Sequence, residues 1–450
     1  MRRVMLENGR MLIALLVVFA GISLALFRLT HISDVFSARA TTWSMNDFWG
    51  AVYYPVVAFL NGENPYDTER FLALYPVSEP FPLYLPAVLL VHLPIGLLPA
   101  QAASIVYFML TIALTFLLVF VCLSLNKIKI AIADILFIGG LLLLSRPGHG
   151  NLLLGQPTLQ VVLASYVALS FARRSAIISG LGLAVSMIKP TFGIPLALLM
   201  LTQRYIRQVF YGAIIIIPIN LFFITVLVYR SGDIDHLLEV LINNHHVLLN
   251  DVTVNPVSSH AVDINTFISH FMGKPLNYIV QLAILVSVLG VASWALRPTA
   301  GPNDERFHTL SIGIVCLATL LSVHHQVYDL LLLTLPCIGL VFHRFPHEFY
   351  SSYRYGLSTS LLTILALNYT ATNAVIPFGR PAGGLWLVLV SINSIALLVL
   401  FFIWIRAAHL VRLDAAARSD ALLLKAPPRG AFSIAQSSIA QSVQVHTHIQ

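Results

Sequence analysis

The sequence predicts an all-α polytopic membrane protein, on the evidence of its composition, its apolar segments and the placement of its basic residues. Of the 450 residues, 58% are hydrophobic and only 10% are charged. Because soluble domains carry about 25% charged residues, most of this chain is expected to lie in or against lipid. The net charge of +7 resides mostly in short connectors, where it sets membrane orientation, so we expect no nucleic-acid partner.

The lengths of the apolar segments predict about twelve transmembrane helices. The first covers about residues 11–29 and is interpreted as a retained span, since no small-residue cleavage site follows it. The stretch 84–98 is short and interrupted by Pro86 and Pro94, which favours a re-entrant or interfacial segment. The remaining spans are assigned to about 101–125, 130–146, 157–172, 175–190, 191–203, 209–229, 277–296, 308–323, 327–343, 354–370 and 385–406.

The positions of Lys and Arg orient these spans. If 84–98 does not cross, nearly every basic connector falls on the side of both termini, which is then the cytoplasm. Two longer loops, at about 30–100 and 230–276, face the outside. We expect a bacterial inner-membrane protein with a transmembrane domain over 1–410 and a disordered cytoplasmic tail over 411–450.

One outer stretch, residues 41–67, carries Asp47 directly before a predicted amphipathic helix. Asn46 or Asp47 can cap that helix, and Asn61-Gly62 can end it, because Gly tolerates the left-handed conformation. The apolar stripe of the helix consists of Phe48, Val52, Val56, Phe59 and Leu60. We therefore expect an acid at the start of a helix that lies on the membrane surface.

Polar and ionisable side chains gather on the predicted outer face, where they border a hydrocarbon layer. Such groups are costly there, so each is a functional candidate. They are Asp47, Arg146, His149, Gln156, Lys189, His245, His246, His324, His325 and Arg380. Several cations together suit an anionic group such as a phosphate. Residues 146–157 are interpreted as a Gly/Pro-rich loop, and His245-His246 as part of a solvated loop.

Short motifs occur along the chain in the same order as in a known enzyme family. They are Asp47 with Tyr53-Tyr54, Asn64-Pro65-Tyr66-Asp67, Tyr84-Leu85-Pro86, Leu98-Pro99, Gly155-Gln156, Lys189-Pro190 and the turn His324-His325. In this order the chain resembles glycosyltransferase family 87, the polyprenol-phosphate-mannose-dependent mannosyltransferases of GT-C architecture. The resemblance extends over about residues 10–410.

The resemblance implies an inverting transfer of mannose or a similar sugar from a polyprenyl phosphate to a glycolipid or glycan acceptor outside the cytoplasm. It assigns Asp47 as the catalytic base and puts the histidine turn in the site. The chemistry agrees, because a departing phosphate needs cations and an acceptor hydroxyl needs a base. We expect Arg146, Lys189, His324 and His325 at the donor phosphate, and Tyr54, Asp67, His149, Gln156 and Arg380 at the acceptor or pocket. Membrane lipids are the expected surroundings, and neither a metal nor a cofactor besides the donor is expected.

Each candidate also has a structural interpretation. Asp47 could only cap a helix, and Arg146 and Lys189 could reach toward lipid headgroups. Gln156 could join two helices, and the histidine turn could be a satisfied polar turn. The chain could also be a secondary transporter, a lipid-linked-glycan flippase or a membrane protein without chemistry. Polar groups at one face and the lack of an internal repeat favour an enzyme over a transporter.

Overall fold

A computed structural model describes residues 2–35, 45–250, 260–297, 305–350, 353–369 and 384–425. Every regular element in those ranges is helical, and an isolated antiparallel bridge joins Ala261 to Gln326. The helices up to residue 202 are α1 (Arg2–Val35), α2 (Phe48–Leu60), α3 (Thr68–Leu74), α4 (Val88–Gly96), α5 (Ala100–Leu125), α6 (Ile132–Leu144), α7 (Arg146–Leu154), α8 (Thr158–Phe171), α9 (Ala176–Ser186) and α10 (Pro190–Thr202). The later ones are α11 (Ile206–Ser231), α12 (Ile234–Asn250), α13 (Ile264–Met272), α14 (Tyr278–Ala295), α15 (Glu305–Ser322), α16 (Val327–Val341), α17 (His347–Tyr350), α18 (Tyr353–Leu367) and α19 (Gly384–Lys425).

Five of the described helices are apolar and long enough to cross a membrane. They are α1 over Glu7–Leu29, α5, α11, α14 and α19 over Gly384–Leu413. The pair α6 and α7, bent by 74°, makes a sixth if it counts as one span. The predicted number of about twelve is therefore not confirmed, although each predicted span contains a helix. Several are too short, since α9 has 11 residues and is about 17 Å long, against a hydrocarbon core of about 30 Å.

The long helices expose apolar side chains, as expected of helices that face lipid. Phe19 on α1 is 70% exposed and Ile279 on α14 is 81% exposed. The core lies instead around α15, α16 and α19, where the ring of Trp404 is fully buried and packs on Phe345 with 5.1 Å between ring centroids. The short helices add to this core, so their apolar character comes from packing against protein.

Most of the apolar stripe of α2 packs against protein, where the sequence analysis expected a membrane surface, and Leu60 at its end is 46% exposed. Phe48, Val52 and Val56 are each at most 1% exposed. The Phe48 ring packs on Tyr107 of α5 with 5.0 Å between centroids. A Cβ at Gly96 of α4 would overlap the Val56 side chain, so glycine allows the two helices to touch. These contacts fix α2 between α4 and α5.

The N-terminus of α2 differs from the predicted cap. Asp47 makes no side-chain capping hydrogen bond, so its carboxylate is available to other partners. The first turns, Phe48–Tyr53, are π-helical, a geometry that often occurs at functional sites. The predicted stop is confirmed, because α2 ends at Leu60 and Gly62 adopts a left-handed φ of +90°.

The outer segment predicted as a loop at 230–276 contains α12 and α13. His245 and His246 lie on α12, so their assignment to a loop was wrong. The Asn244 side-chain amide donates to the carbonyls of Tyr66 and Phe81, each at 3.1 Å, which ties α12 to the chain on both sides of α3. At the other end of the chain, α19 continues to Lys425, so the described part of the predicted tail is helical. Residues 426–450 lie outside the described residues.

Candidate active site

Asp47 and Gln156 meet at the centre of a polar cluster. The Gln156 Nε2 group donates to Asp47 Oδ2 and, at 3.0 Å, to the hydroxyl oxygen of Tyr328. The Tyr84 hydroxyl donates to Gln156 Oε1 at 3.4 Å. Gln156 is 4% exposed, whereas Asp47 is only half-buried. Three partners therefore orient the amide, which presents a donor to the Asp47 carboxylate.

The helix α7 delivers Gln156 to this cluster. The sequence analysis interpreted residues 146–157 as a loop, and that interpretation was wrong for most of the segment. The Ser145 hydroxyl accepts a bond from the first turn and Pro147 fits that turn, so a helix begins here. Gly155 ends it in the left-handed conformation, with a φ of +69°. Gln156 follows immediately and is thereby aimed at Asp47.

Gly155 also permits α7 to approach α2 closely. A Cβ at this position would lie 2.5 Å from the Cβ of Phe48. Nearby, the Met45 amide donates to the Leu153 carbonyl at 2.9 Å, which joins the chain before α2 to the end of α7. Gly155 therefore allows α7 to lie close enough to α2 for Gln156 to reach Asp47.

Replacing Gly155 with Ala is expected to lower the free energy of unfolding by about 2 kcal/mol or more, because left-handed backbone and the Phe48 contact both oppose a side chain. Any reaction that depends on Asp47 should slow as well, since α2 carries this residue. Denaturant unfolding in detergent measures the first effect. Gly150→Ala is the matched control on the same helix, because nothing lies within 4 Å of a Cβ there. Wild-type stability in Gly155→Ala would contradict the tight contact.

Asp47 has an unusual proton affinity for an aspartate. Burial raises its pKa from the ordinary value of 3.8 to about 6. The hydrogen bond from Gln156 and the charge of Lys189 oppose this rise, whereas the charge of Asp329 adds to it. Asp47 is therefore mostly ionised at neutral pH but binds a proton more tightly than an exposed aspartate. These are the properties of a general base that works near neutral pH.

Lys189, the residue before α10, forms a buried ion pair with Asp329. Its Nζ lies 2.6 Å from Asp329 Oδ1, and the two side chains are 9% and 1% exposed. The Thr158 hydroxyl donates to the same Oδ1 at 3.0 Å and lies 3.4 Å from Lys189 Nζ. The ammonium also lies 4.9 Å from the centre of the Tyr328 ring. Lys189 therefore belongs to the cluster around Asp47, but a carboxylate balances its charge.

The two histidines of the predicted turn occupy different environments. His325 is 1% exposed, and its Nδ1 lies 3.0 Å from Asp329 Oδ2. His324 is partly exposed, and its Nδ1 lies 3.4 Å from Asp263 Oδ2. Burial raises the pKa of Asp263, but the interaction with His324 and the bonds from Thr266 outweigh it, so the pKa lies below its ordinary value. His325 is thus a buried partner of the ion pair, and His324 lies at an accessible edge.

Arg146 lies in a second, basic cluster. Its Nη1 donates to the Asn368 carbonyl at 2.5 Å, and its Nη2 lies 3.4 Å from His260 Nδ1. Burial, with a smaller contribution from Arg146, lowers the pKa of His260 to about 4, so this imidazole is neutral at pH 7. The predicted pocket residue His149 lies one turn further along α7 and is 1% exposed.

A second guanidinium, that of Arg28 in the last two turns of α1, lies near the same cluster. Burial raises the pKa of Tyr369, and the charges of Arg28 and Arg146 both oppose that rise, which shows that both cations lie near the phenol. The two clusters are joined by backbone pairing. The amide of Val327 donates to the His260 carbonyl at 2.9 Å, next to the bridge at Ala261.

The remaining predicted pocket residues do not join either cluster among the residues described. The Tyr54 ring packs on Tyr53 and Tyr75, with 5.0 and 5.5 Å between ring centroids. Asp67 caps α3, accepting a bond from the Arg70 amide at 3.1 Å. Arg380 lies outside the described residues.

The sequence analysis missed two buried acids, Asp263 and Asp329. Asp329 lies in the first turns of α16, which are a 3₁₀-helix, and its apolar neighbours made the segment resemble a span. An acid inside such a run is itself a signal of function, and it was overlooked. Asp263 caps α13 by accepting from the Thr266 amide at 3.0 Å. Its pairing with the histidine turn had no signal in the sequence.

An apolar cavity of about 710 Å³ lies between α1, α6, α16 and α18. One end is bounded by Arg10 and Asp134, whose side chains form an ion pair at 2.6 Å. The other end is bounded by Ser145 and Pro147, the two neighbours of Arg146, and by Leu330 beside Asp329. These two ends lie at opposite ends of α6, whose 13 residues are about 20 Å long, so the cavity extends over about 20 Å. It is lined mostly by aliphatic side chains and ends next to both polar clusters.

Comparison with known proteins gives one match. The family model for glycosyltransferase family 87 matches residues 83–323, more than half of the chain. That range includes Tyr84, Gln156, Lys189 and Asp263, and it ends one residue before the histidine turn. Neither a curated protein nor a solved structure matches the chain.

Proposed function

The chain belongs to glycosyltransferase family 87 and is a membrane glycosyltransferase, and we propose that it transfers a sugar, mannose or a similar hexose, from a polyprenyl phosphate to a glycolipid or glycan acceptor. A GT-C architecture, a location in a bacterial inner membrane, cytoplasmic termini and an active site on the outer side are parts of the same proposal. The observation that carries it is the Asp47 carboxylate, half-buried and held by Gln156 beside the Lys189–Asp329 pair.

The apolar cavity supports a lipid-linked donor. A cavity that is lined mostly by aliphatic side chains and extends over about 20 Å suits several isoprene units. The cavity ends at Ser145 and Pro147, the two neighbours of Arg146, and Arg28 and Arg146 both act on Tyr369, so the donor phosphate is proposed to bind at these two guanidinium groups. Guanidinium groups bind phosphate oxygens in a bidentate manner and do not lose their charge on burial as readily as amines. The donor would therefore enter tail-first, with its phosphate at the basic cluster.

In the proposed reaction, the acceptor hydroxyl oxygen attacks the anomeric carbon of the sugar. The bond from that carbon to the phosphate oxygen breaks, and polyprenyl phosphate leaves with the electron pair. Asp47 takes the hydroxyl proton, which its ionised state at neutral pH allows. A single displacement inverts the configuration at the anomeric carbon.

The basic cluster around Arg146 would stabilise the negative charge that develops on the leaving phosphate. The phosphodiester of the donor gains a negative charge as it becomes a monoester, so fixed cations stabilise the transition state more than the ground state. Arg146 and Arg28 are suited to this task, and His324, at the accessible edge, can donate to a phosphate oxygen. Lys189 is less suited, because Asp329 already balances its charge.

An assay of the purified protein with synthetic polyprenyl-phosphate mannose in lipid nanodiscs tests the proposal. Transfer of label from the donor to an added glycolipid acceptor, with release of polyprenyl phosphate, supports it. Movement of the intact donor across a vesicle membrane without transfer would instead support a flippase. Transfer from a nucleotide sugar alone would overturn the lipid-linked donor.

Filling the cavity should discriminate between donors by tail length. Replacing Ala133, which lines the cavity on α6 next to Asp134 at the end far from Arg146, with Phe is expected to raise KM about ten-fold for a long polyprenyl donor, or about 1.4 kcal/mol. A donor with two isoprene units should be unaffected, because its tail does not reach the obstruction. Steady-state kinetics with both donors measures the difference.

The matched control is Ala283→Phe, which places the same ring on the exposed face of α14. It should leave both KM values unchanged. Equal effects of Ala133→Phe on the long and short donors would contradict a role for the cavity in holding the tail.

A further inference from the structure

Asp329 is a buried carboxylate with an unusual number of partners. It is 1% exposed, and its Oδ1 faces Lys189 Nζ at 2.6 Å and the Thr158 hydroxyl at 3.0 Å. Its Oδ2 faces His325 Nδ1 at 3.0 Å and accepts from the Gln326 amide at 3.1 Å. Four groups from three segments of the chain therefore converge on one side chain.

The position of Asp329 next to Tyr328 links it to the reaction centre. Tyr328 accepts a bond from the same Gln156 Nε2 group that donates to Asp47. A displacement of the first turn of α16 would therefore move both the ion pair and the donor to Asp47. Loss of the Asp329 charge would also leave Lys189 as an unbalanced cation beside Asp47.

We propose that Asp329 is a positioning residue that anchors Lys189 and His325 and, together with Lys189, sets the electrostatic environment of the Asp47 carboxylate. The inference rests on the proposed role of Asp47 as the base. It also gives Lys189 a different task from the donor-phosphate contact predicted from the sequence, because the cation is held by a protein carboxylate and acts on Asp47.

The charges around Asp47 make the roles of the two partners opposite. Lys189 favours the ionised form of Asp47, and Asp329 disfavours it. Among the described residues, the phenols of Tyr84, Tyr107 and Tyr328 also lie near Asp47, and Glu79 lies near Tyr328. Phenols are neutral at the pH of interest, so they do not change the sign of either effect.

The test is the pH dependence of kcat/KM for sugar transfer. In the wild type, activity should rise as pH increases through about 6, because Asp47 must lose its proton to act as a base. In Asp329→Asn this acid limb should move to lower pH, by about 0.5–1 unit, because repulsion is removed and Lys189 is no longer balanced. In Lys189→Gln it should move to higher pH by a similar amount, about 0.5–1 unit.

If Asp329 has only a structural role, both variants should turn over more slowly while the acid limb of the pH profile stays at its wild-type position. That result would overturn the inference. Thr158→Val is the matched control, since it removes a bond to Asp329 without changing any charge and should leave the limb unmoved. If neither charged variant folds, the double variant Lys189→Gln/Asp329→Asn decides through the same pH profile. Because the charge of Lys189 acts on Asp47 more strongly than that of Asp329, the acid limb should move to higher pH, and a limb at the wild-type position overturns the inference.

Failure of this inference can be told apart from failure of the proposed function. Retained turnover in Asp47→Asn would remove the proposed base and, with it, the basis of the pH test. If Asp47→Asn is inactive but the acid limbs of the Asp329 and Lys189 variants do not move, Asp47 is still supported as the base. Asp329 is then excluded as a residue that sets its environment.

Discussion

Asp47→Asn should lower kcat for sugar transfer by about 10²–10⁴-fold, the usual contribution of a general base. Asn keeps the size of the side chain and can still meet Gln156, but it cannot take a proton from the acceptor hydroxyl. The donor KM should change little, because the proposed phosphate contacts lie in the basic cluster and not at Asp47. Single-turnover kinetics with labelled donor separates the loss of chemistry from any loss of binding.

The fold of Asp47→Asn should be intact. Asp47 makes no capping bond to α2, so nothing in the helix depends on its charge. Removing a buried charge also removes its desolvation cost. Unfolding in detergent should therefore match the wild type or exceed it. If Asp47→Asn is destabilised or aggregates, its loss of activity cannot be assigned to the missing base. That result would also contradict the absence of a capping role for the Asp47 carboxylate.

Asp233→Asn supplies the matched comparison. Asp233 is an exposed acid that accepts a bond from the His236 amide at 2.7 Å at the start of α12. Asn can accept the same bond, so folding and turnover should both equal those of the wild type. Transfer by Asp47→Asn at more than about a tenth of the wild-type rate would exclude Asp47 as the base.

Much of the polar site could be predicted because ionisable groups at the ends of apolar segments are conspicuous. Asp47, Gln156, Lys189 and His325 were each identified in this way, and the structure brings all four into one cluster. Their mutual partners could not be predicted. Lys189 and Asp329 are 140 positions apart, and nothing in either local sequence indicates the other.

The number of membrane spans could not be predicted for a related reason. Hydropathy reports that a segment avoids water, and it does not distinguish burial in protein from exposure to lipid. Helices such as α8, α9 and α10 are as apolar as spans but too short to cross, and they build the protein core. The positions of the helices were therefore correct, while their interpretation as crossings was not confirmed.

Residues 146–157 show a third limit. Pro147, Gly148 and Gly150 suggested a loop, because proline and glycine are strong breakers in most contexts. The same residues permit a helix when a serine caps it and a proline occupies its first turn. Interpreting Ser145 and Gly155 as paired start and stop signals would have found α7.

Lys189→Met should reduce the free energy of unfolding by about 3–5 kcal/mol, the largest stability effect expected here. The substitution leaves Asp329 ionised, 1% exposed and without its ammonium partner. His325 and Thr158 remain as partners, but neither replaces the charge of the ammonium. Chemical denaturation in detergent, followed by tryptophan fluorescence, measures the loss.

The double variant Lys189→Met/Asp329→Asn should recover most of that stability, because no unpaired charge remains in the core and the introduced amide can still bond to Thr158 and Gln326. Arg10→Met provides the matched control. It breaks another ion pair of 2.6 Å, but Arg10 is 64% exposed, so the cost should stay below about 1 kcal/mol. If the double variant is less stable than Lys189→Met alone, the two charges do not act as a buried pair, and Asp329 must stabilise the protein through its other three partners.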